Sequence, residues 1–250
     1  DNMLYNKKIV QTPSYLEIWE YGTPIKIGFT KKKTSSKTNK KIDDIDKLKR
    51  LVKSRKNAKH ELMRLIDTNF DERLTKFITI TTKENIQDRK IFNQEFDKFM
   101  KRLNYNVFHS KKKMIKYVAV LEKQKRGAYH AHILVFNLPF IKFEKLRELW
   151  KLGSIRINKV NVDSIDNRGR YITKYMEKGI GQELIENKGK KSYYSSNNLK
   201  QPFMTKLLDD DSIDDLVSDK FIVNQSEYIS KKYKDGEWIE NKVKYRKVKI

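Results

Sequence analysis

Two hydrophobic periods run along the middle of the chain, and each predicts a different element. Lys76–Thr82 (KFITITT) alternates apolar and hydroxyl residues, which is the pattern of a strand with one buried face. Gln87–Leu103 repeats large apolar residues every three or four positions, which predicts an amphipathic helix. We expect the residues of this stripe in the core: Phe92, Phe96, Phe99, Met100 and Leu103.

The segments that follow extend this pattern into a recognisable order. Lys116–Glu122 and Ala128–Phe136 read as strands joined by a tight turn. Phe143–Lys151 reads as a helix, Ser154–Val160 as a strand and Arg168–Gly179 as a further helix ended by glycine. The first six elements give the split β-α-β-β-α-β order. We therefore predict an α+β fold, ferredoxin- or RRM-like, with a central antiparallel sheet, helices on one face and a C-terminal helix.

The flanking parts of the chain predict separate structures. Residues 8–30 read as short strands, Ile42–Phe70 has helical spacing, and the last residues read as a β-hairpin around Asp235-Gly236. These patterns divide the chain into three predicted parts: basic N-terminal strands and a helix that contact DNA (1–75), the central sheet domain (76–202), and an acidic segment with the hairpin (203–250).

The charge of the chain narrows the class of partner. The formal net charge is +24 and the pI is about 9.8, which points to a polyanion, with nucleic acid first and an anionic membrane surface second. A merely soluble basic surface is the alternative. There is no cysteine, and no apolar run approaches a membrane span, so we expect no thiolate site and no membrane partner. The expected location is the cytoplasm of a bacterial host.

One strongly basic stretch lies in the predicted N-terminal helix. Residues 31–60 hold thirteen Lys or Arg against three Asp. A helix that contacts phosphates and a helix with a solvated face both fit this composition. On the first interpretation the contacts come from Lys53, Arg55, Lys56 and Lys59.

Two of the four histidines of the chain lie in the predicted strand RGAYHAHILVF. His130 and His132 are two residues apart, so both side chains lie on the same face of the strand. Two imidazoles side by side can bind a divalent cation. The alternative is that two histidines occupy a sheet face without a ligand.

The turn before these histidines predicts a third ligand. A three-residue loop, Lys125 to Gly127, fits a type I turn closed by a left-handed glycine, and this register places Glu122 opposite His130. A two-residue loop would place Lys123 there instead. Two nitrogens and a carboxylate suit Mn²⁺ or Mg²⁺ acting on phosphate, or Zn²⁺ acting on water. The basic charge favours phosphate, and the absence of HExxH and of cysteine pairs argues against a zinc hydrolase.

A second group of candidate residues lies in RYITKYMEK. Spacings of three and four place its tyrosines and lysines on one helix stripe: Tyr171, Lys174, Tyr175 and Lys178. A tyrosine next to an ammonium can become a phenolate nucleophile, and a lysine can stabilise charge at phosphorus. Amphipathic packing is the alternative for the two tyrosines.

The order of these motifs resembles that of the HUH endonucleases, and more narrowly of the two-tyrosine rolling-circle replication initiators of bacterial plasmids and single-stranded DNA phages. The resemblance covers roughly Lys76 to Pro202 and rests on FITIT, on His-Ala-His and on YITKYMEK, in that order. Relaxases place the tyrosine before the histidine pair, which is the reverse order. The stretch YYSSNNLKQP also resembles a segment of these proteins.

The resemblance implies an enzyme that nicks and rejoins single-stranded origin DNA. It implies a divalent metal (Mn²⁺ or Mg²⁺) held by Glu122, His130 and His132, and a 5′-phosphotyrosine formed by Tyr175 or Tyr171 beside Lys174 and Lys178. A host helicase and polymerase would be its partners. The alternatives are a non-catalytic nucleic-acid-binding module and an HUH transposase or relaxase. Beyond the N-terminal helix, the candidate DNA-binding residues are Lys125, Arg126, Lys190, Lys191, Tyr193 and Lys200.

Overall fold

A computed structural model describes residues 3–28, 44–160, 173, 176–181, 192–234 and 236–250 of the 250-residue chain. The elements in chain order are β1 (Leu4–Gln11), β2 (Tyr15–Lys26), α1 (Asp44–Asn69), β3 (Lys76–Thr81), α2 (Arg89–Phe108), β4 (Tyr117–Lys123), β5 (Tyr129–Val135), α3 (Phe143–Leu149), β6 (Ile155–Lys159), β7 (Tyr194–Ser195), β8 (Phe203–Leu207), α4 (Asp214–Val217), β9 (Ile222–Lys234) and β10 (Glu237–Lys249). Residues 176–181 are also helical and are called the 176–181 helix.

The chain forms two compact units. The central unit comprises Ile42–Gln201, and the terminal unit combines Asp1–Lys41 with Pro202–Ile250. This grouping differs from the predicted division at residues 75 and 202, because α1 belongs to the central unit and the two ends of the chain share one sheet.

The central unit contains a five-stranded antiparallel sheet with the order β6-β3-β5-β4-β7. The first four strands have the arrangement expected for a split β-α-β-β-α-β fold, so the predicted α+β class is confirmed. The α2 helix begins at Asp88, whose carboxylate accepts hydrogen bonds from the backbone N–H groups of Lys90 and Ile91. Its predicted apolar stripe is buried and packs with α3 on the sheet face that carries Ala119, Leu121 and Ala131.

The other face of this sheet is covered as well. The C-terminal half of α1 and the 176–181 helix pack there, so helices lie on both faces rather than on one as the strand–helix order indicated. Apolar residues at helical spacing on α1 meet an apolar row on alternate positions of β4 and β5. The buried cluster includes Leu62, Leu65, Ile66, Val118, Val120, Leu134, Met176 and Ile180.

The terminal unit is a second five-stranded antiparallel sheet, with the order β8-β1-β2-β10-β9. The predicted C-terminal hairpin is confirmed, since Lys234 pairs with Glu237 and Gly236 adopts a φ of 94°. A small core of Ile18, Ile213, Val217 and Val248 packs α4 against one sheet face. In the described part of the chain, no helix is long and apolar enough to span a bilayer.

Candidate metal centre

The hairpin between β4 and β5 sets the register of the candidate ligands. The Gly127 N–H donates to the Gln124 carbonyl, the Gln124 N–H donates to the Ala128 carbonyl, and Gly127 has a φ of 87°. This is the three-residue loop that the sequence predicts, and it requires glycine at the left-handed position. Glu122 therefore pairs with His130 across the strands.

Three side chains converge on this sheet face. Nε2 of His130 lies 3.0 Å and Nε2 of His132 lies 2.9 Å from the same carboxylate oxygen of Glu122, Oε2. The ligand atoms of the three residues all lie within 4.8 Å of one another, and the two imidazole rings are 4.7 Å apart at their centroids. Two imidazole nitrogens and a carboxylate form a donor set that fits a divalent cation with open coordination positions.

His132 is held by two residues of β3, the neighbouring strand. Thr79 pairs with His132 in the sheet register, and its Oγ1 lies 3.3 Å from Nδ1 of the imidazole. The Phe77 ring stacks on the same imidazole at a centroid distance of 5.8 Å. The hydroxyl and the ring together fix the plane of His132, so that Nε2 points to Glu122.

The electrostatics of the group keep its ligands in the form that a cation needs. Burial raises the pKa of Glu122, but hydrogen bonds from Lys178, His130 and His132 outweigh it and lower the pKa to about 2. Burial lowers the pKa of His132, against the opposite effect of its hydrogen bond to Glu122. At neutral pH Glu122 is therefore ionised and His132 is neutral.

Lys178 completes the group from the 176–181 helix. Its Nζ lies 2.5 Å from Oε1 of Glu122, and its side chain is 66% exposed. The helix lies very close to β4, since a Cβ built on Gly179 would be 2.4 Å from Cγ1 of Val120 and 2.6 Å from the Leu121 carbonyl oxygen. Glycine at this position allows the close approach that brings Lys178 to Glu122.

The 176–181 helix is also tied to α1 by charge. Glu177 accepts a hydrogen bond from Lys59 at 3.2 Å, and Nη2 of Arg55 lies 3.6 Å from the same carboxylate oxygen. Two of the predicted DNA-contacting residues are therefore ion-paired next to Lys178. Lys53 and Lys56, on the same helix, are exposed.

The other predicted site residues lie in several places. Lys125 and Arg126 are exposed in the β4–β5 turn, where Arg126 donates to the carbonyls of Thr82 and Lys83, and Lys200 is exposed after β7. Tyr193 is only 6% exposed, and its ring packs in the core beside α1. The remaining predicted residues lie outside the described part of the chain: Tyr171, Lys174, Tyr175, Lys190 and Lys191.

Three residues around this group were not assigned from the sequence. Thr79 was part of a recognised strand motif but had no role, although a threonine on a strand next to HxH is the signal that could have found it. Glu177 and Gly179 carry no sequence signal of their own, because their importance depends on the packing of the 176–181 helix against α1 and β4.

The fold and the Glu-His-His group define an α+β protein with a candidate metal centre. Residues 75–180 match the family model of a replication-associated protein of the ORF2 type. No curated protein matches the chain. The hypothetical protein ORF119 from Sulfolobus islandicus rod-shaped virus 1 is a similar solved structure, with 25% identity over 53% of this chain and 93% of that chain and a TM-score of 0.33. The family match supports a replication-associated protein that interacts with DNA, and the matched range contains all four residues of the group.

Proposed function

We propose that the chain is a rolling-circle replication initiator that nicks and rejoins single-stranded origin DNA. The observation that carries the proposal is the convergence of Glu122, His130, His132 and Lys178 inside the range that matches replication-associated proteins. Two imidazole nitrogens and an ionised carboxylate can hold Mn²⁺ or Mg²⁺. When bound, such a cation supplies Lewis acidity to a phosphodiester oxygen.

The nucleophile in this proposal is a tyrosine of YITKYMEK. The Tyr175 phenolate oxygen attacks the phosphorus, and the bond from phosphorus to the 3′-oxygen breaks. The products are a 5′-phosphotyrosine and, after protonation, a free 3′-hydroxyl that can prime synthesis. The covalent link conserves the energy of the phosphodiester, so a second transfer by Tyr171 and attack by the 3′-hydroxyl can close the strand.

Lys178 provides the positive charge on the protein side. Its ammonium neutralises one oxygen of Glu122, and its largely exposed side chain leaves room for a phosphate to approach. A phosphoryl-transfer transition state carries negative charge on its equatorial oxygens, and a fixed ammonium beside them stabilises that charge. Lys174 has the same role beside Tyr171 in this proposal.

The experiment uses a pool of end-labelled, random-sequence single-stranded oligonucleotides, because a pool does not require a known origin. We expect Mn²⁺ to produce a protein–DNA adduct that survives denaturing electrophoresis, and EDTA to abolish it. His130→Ala should lose the adduct and still bind DNA, since phosphate contacts come mainly from Lys and Arg.

The matched control is His109→Asn. His109 is exposed at the end of α2 with a φ of 50°, which asparagine tolerates, and it does not contact the candidate centre. This variant should form the adduct as the unaltered protein does. Undiminished adduct formation by His130→Ala in Mn²⁺ would refute the proposed metal dependence.

A further inference from the structure

The sheet of the terminal unit has two dissimilar faces, and only one of them carries a hydrophobic core. Alternate residues of β2 and β10, including Ile18 and Val248, point to α4, which is the helix that the structure describes in this unit. Their neighbours Glu17, Trp19 and Tyr245 therefore belong to the opposite face. This opposite face, called the aromatic face below, lies outside the range that matches replication-associated proteins.

The sheet register defines the aromatic face. Trp19 pairs with Lys8 on one side and with Tyr245 on the other, while Tyr21 pairs with Val243, which in turn pairs with Tyr228. Cross-strand partners share a face, so rings from four strands lie side by side. Their contacts agree, with 5.0 Å between the centroids of Trp19 and Tyr245. The aromatic residues of this face are Tyr5, Tyr15, Trp19, Tyr21, Tyr228 and Tyr245.

Lysines alternate with these rings. The ammonium groups of three lysines lie over aromatic rings: Lys8 over Trp19 at 4.7 Å, Lys206 over Tyr5 at 4.8 Å, and Lys247 over Tyr15 at 4.0 Å. The acidic residue between them, Glu17, is 4% exposed and accepts a hydrogen bond from the Tyr245 hydroxyl at 2.7 Å. The aromatic face therefore presents rings and positive charge together.

The apolar residues of this face lie beneath its rings. Val10 and Val243 are 3% and 0% exposed, whereas Trp19, Tyr15 and Tyr245 are partly exposed and Tyr228 is 45% exposed. A ligand would therefore meet rings and ammonium groups before it met aliphatic side chains. This surface does not suit the aliphatic tails of lipids, but it suits a ligand with planar rings and regularly spaced anionic groups.

We propose that the aromatic face binds single-stranded DNA, with bases stacked on its rings and phosphates paired with its lysines. Base stacking on aromatics and electrostatic contact with the backbone are the two components of single-strand recognition, and an open sheet face can present both. In a duplex the faces of the bases are already stacked on one another, so single strands are preferred. The choice of DNA over RNA rests on the proposed replication function, whereas the stacking argument does not depend on the nicking reaction.

Fluorescence anisotropy of labelled oligo(dT) in EDTA tests this site with the full chain. The chelator prevents cleavage, so the measurement is independent of the candidate metal centre. Trp19→Leu should weaken binding at least about fivefold, which is the low end of the effect of losing one stacked base. Lys247→Gln should weaken binding and reduce the slope of log affinity against log salt by about 0.7.

Matched controls lie on the opposite face of the same sheet. Trp238 is 53% exposed on β10, an odd number of residues from Tyr245, and Lys231 is exposed on β9, an odd number from Tyr228. Trp238→Leu and Lys231→Gln should therefore leave oligo(dT) binding unchanged. If Trp19→Leu disturbs the fold, seen as an altered circular dichroism spectrum, Lys8→Gln replaces it, because it keeps every ring of the face.

Three results would overturn the proposal. The first is equal binding by the aromatic-face variants and their controls. The second is tighter binding of a duplex or of oligo(U) than of oligo(dT), with the same variants affected. The third is loss of binding to anionic phospholipid vesicles, rather than to oligo(dT), in the aromatic-face variants. Loss of adduct formation with these results intact would instead contradict the nicking function alone.

Discussion

At the scale of single residues, His132 has two hydrogen-bond partners that fix its tautomer. The Glu122 carboxylate can only accept, so Nε2 donates to it and Nδ1 accepts from the Thr79 hydroxyl. With a cation on Nε2 the ring proton lies on Nδ1, and the same hydroxyl can accept it. Threonine therefore serves His132 in both states, which a purely apolar side chain cannot do.

Thr79→Val tests this role. The variant keeps the shape of the side chain and removes the hydroxyl, so we expect Mn²⁺ affinity in calorimetric titration to fall about tenfold. Thr79→Ser should restore it. The control is Thr81→Val, on the same face of β3, whose hydroxyl bonds to Ser154 and not to a candidate ligand. Equal losses in Thr79→Val and Thr81→Val would show that the hydroxyl of Thr79 has no specific role.

The residues of the candidate centre differ in how far the sequence predicts them. His130 and His132 follow from a period of two, and Glu122 follows from the turn chemistry of Gly127, both of which are local rules. The contact of Thr79 could not be predicted in the same way. It depends on the pairing of β3 with β5, which are separated by α2 and β4 in the chain.

At the scale of elements, the 176–181 helix is held against β4 by the absence of a side chain at Gly179. Gly179→Ala would place a methyl group within 2.4 Å of Val120, and backbone atoms of Leu121 also block it. We expect a loss of about 1–3 kcal/mol in the free energy of unfolding, measured by urea denaturation, and reduced adduct formation, because Lys178 moves away from Glu122.

Gly181→Ala provides the control for this change. Its new methyl group would lie 3.6 Å from the Arg55 guanidinium, an ordinary contact, and alanine favours a helix over glycine by about 1 kcal/mol. This variant should be as stable as the unaltered protein or slightly more stable. A Gly179→Ala protein with unchanged stability and adduct yield would contradict the close packing of the helix.

Local patterns predict most elements of the central unit, including the stripe on α2 and the β4–β5 hairpin. The position of α1 on the face of the candidate centre was not predicted, since its period shows that one side is buried but not what covers it. Its first turns carry exposed apolar residues, such as Leu48 and Val52. The periodicity there looked the same as at the buried Leu62 and Leu65.

At the scale of the whole molecule, the net charge of +24 is spread over both units. On α1, the exposed Lys53 and Lys56 have no resolved partner among the described contacts, whereas Arg55 and Lys59 hold Glu177. Lys53→Gln and Lys56→Gln should each reduce the salt slope of duplex binding by about 0.9 without changing adduct yield on single strands. An unchanged slope in the double variant would make this part of α1 a solvated face.

The assembly of the terminal unit was beyond sequence reasoning for a physical reason. Strands β1 and β8 pair although some two hundred residues separate them, as with Lys7 and Leu207. The alternation of each strand specifies a buried side but not a partner strand. The N-terminal strands and the C-terminal hairpin were therefore predicted as separate parts, and their shared aromatic face became visible only in the structure.

The measurement that tests the central claim most directly is the identification of the residue that becomes linked to DNA. After reaction with single-stranded DNA and Mn²⁺, nuclease and protease digestion followed by mass spectrometry should give a peptide from YITKYMEK with a nucleotide on Tyr175. Tyr175→Phe should remove this peptide, and Tyr171→Phe should retain it. DNA cleaved to products with free 5′-phosphates and no modified tyrosine would contradict the account.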